Sequence, residues 1–369
     1  MSEPHHASIP AWTWITPALA SGLLLLKFLH VIPADDVVVL VVAGMLLGAA
    51  VFAAVHHAEV LALKLGEPFG SILLAIAVTV IEVGLIVSIM VSGAEGSETV
   101  ARDTVFAAVM IVLNGVVGLC LIMGGWKHFE QTFQLQGASS ALAVLGTLAA
   151  LTLILPNYTL TVAEASFSPI QSIFIGMVAL ILWGVFVFVQ TVKHRNYFLD
   201  NPVNSIPKTV EASHEKPGNQ MALICLGLLI VSLIAVVLLA KILSYPLDKG
   251  IEMASLPKSF VGVVIAAIVL LPEGIAAAKS AMKNQLQNSI NLALGSAIAS
   301  IGLTIPTVAI VSLVLARNLT LGISPANTAL LVLTLFVGTL TLGTGRTTVL
   351  QGAIHLVIFA VFLLVSAIP

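Results

Sequence analysis

The feature that most constrains the fold is a series of apolar runs, each about 17 to 25 residues long, that fills nearly the whole chain. An α-helix needs a run of about this length to cross the hydrocarbon core of a bilayer. Hydrophobic residues make up 59% of the 369 residues and charged residues only 9%, whereas a soluble domain has about 25% charged residues. Because the hydrocarbon core offers no hydrogen-bond partners, the backbone N–H and C=O groups of such a run must pair with each other, and the run forms a helix. The sequence therefore predicts an all-α polytopic membrane protein.

Eleven runs are long enough to cross a bilayer as helices. One connection, residues 193–220, is long and polar, and its prolines and lack of an apolar period predict a flexible cytoplasmic linker. The predicted spans lie near 12–31, 36–57, 68–92, 104–125, 139–155, 170–192, 220–243, 258–280, 289–315, 325–343 and 347–367. The predicted domains are an N-terminal helix (1–34), a first five-helix repeat (35–192), the linker (193–220) and a second five-helix repeat (221–369).

The distribution of positive charge predicts the orientation of the spans. With the N-terminus in the cytoplasm, nine of the 15 Lys and Arg residues fall on the cytoplasmic side and six on the other. An odd number of spans then places the C-terminus on the opposite side, and the two five-helix blocks enter the membrane from opposite faces. Such inverted repeats are typical of secondary transporters. We therefore expect a multi-pass protein of the cell (inner) membrane, with the lipid bilayer as its surroundings.

Charge and cysteine content exclude two other classes of protein. The net charge of -2 shows no basic excess, which argues against a nucleic-acid partner. The two cysteines, Cys120 and Cys225, both lie inside apolar runs, so the sequence supports neither a disulfide framework nor a cysteine-based metal site.

Two glutamates lie deep in apolar spans at corresponding positions. The third span holds Glu82 and the eighth holds Glu273, and an offset of 191 residues superimposes them together with Ala75 on Ala266. A charged side chain at this depth costs at least about 2.5 to 3.5 kcal/mol, so its presence indicates function. A buried carboxylate is stabilised either by protonation or by a cation. The pair is therefore predicted to bind a metal ion and protons in alternation.

Oxygen atoms near the two glutamates predict a hard cation as the bound metal. Asn114 lies within the fourth span, and Ser296 and Ser300 lie four residues apart in the ninth. Pro272 has no N–H, so the backbone carbonyl of Ile268 lacks its helical donor, and we expect the helix to be broken there. Carboxylate, amide, hydroxyl and carbonyl oxygens are typical ligands of Ca²⁺, whereas Zn²⁺ or Cu²⁺ favours His and Cys.

The chain resembles the bacterial calcium/proton antiporters of the cation/proton exchanger branch of the calcium/cation antiporter superfamily. The resemblance extends from about residue 35 to 367 and is carried by "HHAEVLALKLGEPFGS", "LPEGIAAAKSAMKNQLQNSINLALGSAIASIGLTIPTV" and "GTGRTTVLQGAIHL". It implies that Glu82 and Glu273 carry the ion and the protons, and that Asn114, Ser296 and Ser300 line the site. It also implies exchange of Ca²⁺ for H⁺ by alternating access, without a cofactor, and some relatives move Na⁺ or K⁺.

Four other functions compete with calcium/proton exchange. Sodium/calcium exchange is disfavoured, because the additional polar ligands that Na⁺ would need are sparse in the spans. A monovalent Na⁺ or K⁺/proton antiporter is the main alternative, because the same oxygens bind Na⁺. A cation channel is disfavoured, since inverted repeats are typical of alternating access. An enzyme, such as an intramembrane protease, is not expected, because the chain has no HExxH motif and "GTGR" at 343–346 lacks an aspartate.

Several polar residues outside this set are predicted to have structural roles. His56, His57 and Glu59 have the residue types of a metal cluster, but they lie at the predicted end of the second span, with Lys64 nearby, where an interfacial or gating role without metal is expected. His355, in the last span, is predicted to be a packed, hydrogen-bonded residue. Asp103 is predicted to lie in a solvated outer loop.

Overall fold

The computed structural model describes residues 10–31, 36–66, 69–93, 96–162, 165–199, 217–317 and 319–369. Within these ranges, eleven helical segments are long and apolar enough to cross a membrane, which confirms the prediction of an all-α polytopic protein. The helices are α1 (Ala11–Phe28), α2 (Val37–Leu65), α3 (Phe69–Ser92), α4 (Val100–Met110), α5 (Val117–His128), α6 (Leu135–Ala149), α7 (Pro169–Phe188), α8 (Asn219–Met253), α9 (Phe260–Met282), α10 (Leu286–Val314), α11 (Pro325–Leu342) and α12 (Val349–Ala367). A two-stranded antiparallel ribbon pairs β1 (Gln131–Thr132) with β2 (Arg346–Thr347).

Two helices extend well beyond the predicted spans. The second span was expected to end near residue 57, but α2 continues to Leu65, so His56, His57 and Glu59 lie inside a helix and the predicted helix end is wrong. Strong helix formers follow His57, and the helix stops only at Gly66, whose φ of 69° suits glycine. Similarly, α8 runs ten residues past its predicted end at 243.

The first residues of the predicted linker are folded and packed against α7 and α10. Residues Arg195–Phe198 form a 3₁₀ turn, and the Phe198 ring is buried edge-to-face against Phe186 with centroids 5.9 Å apart. The Phe198 carbonyl accepts a hydrogen bond from Asn291 Nδ2 on α10. The prediction of flexibility is therefore wrong for these residues, because an aromatic side chain anchors them, and residues 200–216 of the linker lie outside the described residues.

The chain divides into two compact units that combine helices from both predicted repeats. Unit 1 comprises the described residues of 1–88 and 210–246, namely α1, α2 and most of α3 and α8. Unit 2 comprises the described residues of 89–209 and 247–369, with all the other helices and the ribbon. The boundaries of the inverted repeats stay a prediction.

Unit 1 is held by contacts of α2 with α1 and of α3 with α8. His57 Nε2 lies 3.0 Å from the Thr13 carbonyl oxygen, which ties α2 to α1. Gly84 on α3 allows α8 to approach so closely that an added Cβ would lie 2.5 Å from Val237 Cγ2. The Ser88 hydroxyl lies one turn further along α3, 3.5 Å from the Val237 carbonyl oxygen.

Replacing Gly84 by Ala should lower the stability of the protein, because the new methyl group overlaps Val237. Overpacking of this kind costs about 1 to 3 kcal/mol. Thermal unfolding in detergent should show a lower midpoint for Gly84→Ala, and Val237→Ala should restore it because the two side chains are directly coupled. Gly48→Ala on α2 is the matched control, since a Cβ there meets no atom within 4 Å. A loss of stability that Val237→Ala leaves unchanged would refute this packing.

Unit 2 is built around α10, which contacts α4, α6, α7 and α9. Its helices approach closely at glycines, where no side chain separates the backbones. A Cβ on Gly262 of α9 would lie 2.5 Å from the backbone carbon of Asp103 on α4. A Cβ on Gly352 of α12 would lie 2.8 Å from the carbonyl oxygen of Gly118 on α5. These two contacts fix α9 against α4 and α12 against α5.

Candidate functional site

Glu273 lies on α9 with only 8% of its surface exposed, inside a segment apolar enough to cross a membrane. The α-helix continues from Phe260 to Met282 through Pro272, so the expected break at this proline is wrong. A proline removes one helical hydrogen bond and bends the helix, and close neighbouring helices in a membrane protein can accommodate both effects. Ile268 is half-buried on the same helix, and the role of its carbonyl as an ion ligand stays a prediction.

A π-helical backbone occurs instead on the neighbouring segment that carries Asn114, and two further π-helical segments lie at Ala150–Ile154 and Val189–Lys193. Residues Ile111–Val116 form a π-helical segment between α4 and α5, and Asn114 within it is completely buried. Single π-helical turns inside α-helices are frequent at functional sites. The sequence signal for this feature is weak, because it consists of one Asn-Gly pair inside an apolar run.

Asn114 and Glu273 lie at nearly the same height along two neighbouring parallel helical segments of unit 2. The α4–α5 segment and α9 run in parallel, since Gly262 contacts Asp103 at one end and Gly274 contacts Val116 further along. A Cβ on Gly274 would lie 3.2 Å from Val116 Cγ2. Glu273 precedes Gly274 and Asn114 lies two residues before Val116, so less than one helical turn separates their levels.

The serines of α10 lie on a helix that runs antiparallel to α9. The Ser289 hydroxyl donates a 2.7 Å hydrogen bond to the Ala277 carbonyl, which fixes the register of the two helices. With a rise of about 1.5 Å per residue, Ser296 lies within about one helical turn of Glu273 along the helix axis. Ser300 lies about 10 Å past Glu273 in the same direction. Ser296 is half-buried and Ser300 is 4% exposed. The structure thus brings Asn114, Glu273 and Ser296 to one level and places Ser300 further along.

A chain of buried polar side chains connects Asn114 to α11 and α12. Asn114 Nδ2 donates to Thr334 Oγ1 at 2.9 Å, and Asn114 Oδ1 lies 3.0 Å from His355 Nδ1. His355 Nε2 lies 3.1 Å from Thr341 Oγ1. The predicted packed, hydrogen-bonded His355 is confirmed. The two threonines were missed, since no spacing in the sequence distinguishes them from other threonines in apolar helices.

Glu82 is the predicted site residue that lies in unit 1. It is on α3, two residues before Gly84, and only 3% of its surface is exposed. The segment that carries it, Phe69–Val91, is apolar enough to cross a membrane. The sequence prediction of a carboxylate buried deep in an apolar span therefore holds for both glutamates.

Comparison with known proteins identifies the family. The model of the sodium/calcium exchanger protein family matches residues 36–192 and 224–368. The chain belongs to this family of exchangers. It is 58% identical to the putative ionic transporter y4hA of Sinorhizobium fredii over 98% of each chain, and 34% identical to the sodium-potassium/proton antiporter ChaA of Escherichia coli over 85% of this chain and 84% of that one. The solved structure of native YfkE has the same fold, with a TM-score of 0.74 and 18% identity over 97% of this chain and 100% of that one.

Two charged side chains of the exchanger form an ion pair at the beginning of α4, where a solvated loop was expected. Arg102 Nε lies 2.8 Å from Asp103 Oδ1, and the Thr99 hydroxyl donates to Asp103 Oδ2 at 2.9 Å. Asp103 is 7% exposed, so the prediction that it lies in a solvated loop is wrong. The helix begins at Val100, four residues earlier than predicted, because Asp103 stabilises its first turn.

At the surface near α9, Asp248 accepts a 2.7 Å hydrogen bond from Lys258 Nζ and raises the pKa of that lysine.

Proposed function

We propose that this exchanger moves Ca²⁺ in one direction and protons in the other, with Glu82 and Glu273 binding the cation or the protons. The observation that carries the proposal is the buried Glu273 on a level with the completely buried Asn114, inside a membrane-spanning region. Glu82 supplies an equally buried carboxylate in the other unit. Ser296, Ser300 and the Ile268 carbonyl are the proposed further oxygen ligands. Membership of the sodium/calcium exchanger family supports a cation as the transported species.

The chemistry of two carboxylates favours exchange over simple conduction. Two ionised carboxylates balance the charge of one divalent cation, and two protons neutralise them when the cation leaves. Each loaded state then carries little net charge, whereas the empty ionised state is costly in a low-dielectric interior. The protein therefore changes easily between its inward-open and outward-open conformations only when the site is loaded, as alternating access requires. We propose the cell inner membrane as the location and the cytoplasm as the side of the N-terminus.

Exchange of Na⁺ or K⁺ for protons is the second candidate function. Its support is the 34% identity with a protein named as a sodium-potassium/proton antiporter. Na⁺ uses the same oxygen donors, but a monovalent ion leaves one of two ionised carboxylates without a compensating charge. The two proposed carboxylates, Glu82 and Glu273, therefore favour Ca²⁺.

Cation selectivity can be measured in everted membrane vesicles from cells that lack their own cation/proton antiporters. The vesicle interior is acidified, and Ca²⁺, Na⁺ or K⁺ is added while a pH-sensitive dye reports the interior pH. We expect Ca²⁺ to dissipate the gradient at lower concentration than Na⁺ or K⁺. Vesicles without the protein are the control. A response to Na⁺ or K⁺ with none to Ca²⁺ would replace the first candidate by the second.

A further inference from the structure

We propose that His355 is a positioning residue that orients the Asn114 amide so that its only unused hydrogen-bonding position is a lone pair on Oδ1. In this orientation Asn114 acts as an oxygen ligand for the transported cation and cannot present an N–H group to it. The inference rests on the proposed function, because it assigns the device that keeps one ligand of that site in the binding orientation.

The contacts of Asn114 leave one position free. Its amide nitrogen carries two hydrogens, and these are directed at Thr334 Oγ1, 2.9 Å away, and at Met110 Sδ, 3.8 Å away. Its oxygen has two lone pairs, and one of them faces His355 Nδ1 at 3.0 Å. Within the described residues these are all the side-chain partners of Asn114, so one oxygen lone pair remains available.

The orientation of the amide follows from the nature of these partners. The thioether sulfur of Met110 has no hydrogen, so it can accept a hydrogen bond but cannot donate one to an amide oxygen. Turning the amide round would place Oδ1 beside that sulfur and would direct the NH₂ group at the imidazole. The nitrogen of Asn114 therefore belongs on the side of Met110 and Thr334, and the oxygen belongs on the side of His355.

This orientation also decides the tautomer of His355. Because Asn114 Oδ1 can only accept, Nδ1 of the imidazole carries a hydrogen and donates it. In the neutral ring Nε2 then has a lone pair, which accepts the hydroxyl hydrogen of Thr341 at 3.1 Å. All three side chains are at most 3% exposed, so water does not compete for these bonds. The Thr341 hydroxyl thus pairs with the imidazole nitrogen that faces away from Asn114.

Close packing of the helices holds the imidazole in place. His355 lies three residues after Gly352, where α12 touches the backbone of α5. A Cβ on Gly118 of α5 would lie 3.0 Å from His355 Cβ, so the base of the histidine side chain packs against α5 about one turn beyond Asn114. Groups that fix a metal ligand in this way typically change metal affinity by about 10- to 100-fold when they are removed.

Two substitutions of His355 separate positioning from simple packing. The nitrogen of an asparagine side chain lies near the place of imidazole Nδ1, and that of a glutamine lies near Nε2. His355→Asn therefore retains a donor to Asn114 Oδ1, whereas His355→Gln retains a group near Thr341 and loses that donor. A third variant, Thr341→Val, keeps the imidazole but removes the hydroxyl that pairs with Nε2 and helps to hold the ring in place.

The test is exchange in proteoliposomes with whichever of Ca²⁺, Na⁺ or K⁺ the wild-type protein exchanges. We expect His355→Gln to raise the half-saturating cation concentration by about 10- to 100-fold with a smaller change in the maximal rate, because the amide is then free to turn. His355→Asn should stay close to wild type, and Thr341→Val should show a rise of the same sign that is smaller than that of His355→Gln. Thermal unfolding of each variant in detergent monitors folding.

The outcomes distinguish this inference from the proposed function. If the wild type exchanges a cation and His355→Gln and His355→Asn share one half-saturating concentration, the positioning role is wrong while the exchange activity stands. If His355→Gln does not fold, a half-saturating concentration of Thr341→Val equal to that of wild type overturns the inference. A wild-type protein that exchanges none of the three cations refutes the proposed function itself.

Discussion

Exchange by Glu273→Gln is expected to fall at least about 100-fold below that of wild type at every cation concentration. Glutamine has nearly the same shape as glutamate, but it cannot ionise to bind Ca²⁺ and cannot carry the proton that returns. Leaving a buried charge without its partner costs about 3 to 5 kcal/mol, which corresponds to a loss of at least about 100-fold. Proton-coupled Ca²⁺ flux in vesicles is the measurement, normalised to the amount of protein in the membrane.

Two further variants show whether the charge of Glu273 is the cause. Glu273→Asp keeps the carboxylate on a side chain one methylene shorter, so part of the activity should remain. Glu130→Gln removes a half-exposed carboxylate, 3.7 Å from Arg346 Nη1, and should leave exchange unchanged. Wild-type flux in Glu273→Gln would show that the carboxylate takes no part in transport.

Gly352→Leu should prevent the protein from accumulating in a folded state. A Cβ at this position would lie 2.7 Å from the backbone nitrogen of Ile122 and 2.8 Å from the Gly118 carbonyl oxygen. Because both are backbone atoms, a side-chain rotation cannot relieve the overlap, and the α5–α12 contact must open at a cost of at least about 1 to 3 kcal/mol. Fluorescence-detected size-exclusion chromatography and thermal unfolding in detergent measure the loss.

The matched control for this substitution is Gly184→Leu on α7. A Cβ at Gly184 meets no atom within 4 Å, so the same leucine added there should leave a monodisperse, folded protein. If both variants fold equally well, the close approach of α12 to α5 is wrong. The position of His355 beside Asn114 would then lose its structural basis.

The sequence predicted the features that depend on local patterns of polarity. Spans follow from the length of apolar runs, and Glu82 and Glu273 stand out because a carboxylate at that depth is costly. Asn114 was predicted for the same reason, as an amide inside an apolar run. Each of these predictions needs only the one-dimensional pattern and the cost of placing polar atoms in lipid.

Other features depend on which helices become neighbours. Thr334 and Thr341 look like other threonines in apolar helices, and they matter only because α11 brings them to Asn114 and His355. Pro272 predicted a broken helix, whereas α9 is continuous and a π-helical segment lies beside it at Ile111–Val116. The hydrogen bond from Asn114 to Thr334 joins residues 220 positions apart in the sequence, so local patterns could not reveal it.

The central claim is that the paired carboxylates couple Ca²⁺ to protons, and the most direct measurement is their flux ratio. Purified protein in proteoliposomes is supplied with radioactive Ca²⁺ while an internal dye records proton movement, for wild type, Glu82→Gln and Glu273→Gln. The account predicts about two protons per Ca²⁺ in the wild type, and no coupled flux in either variant. Ca²⁺ flux without proton movement in the wild type, or an unchanged flux ratio and rate in both variants, would contradict it.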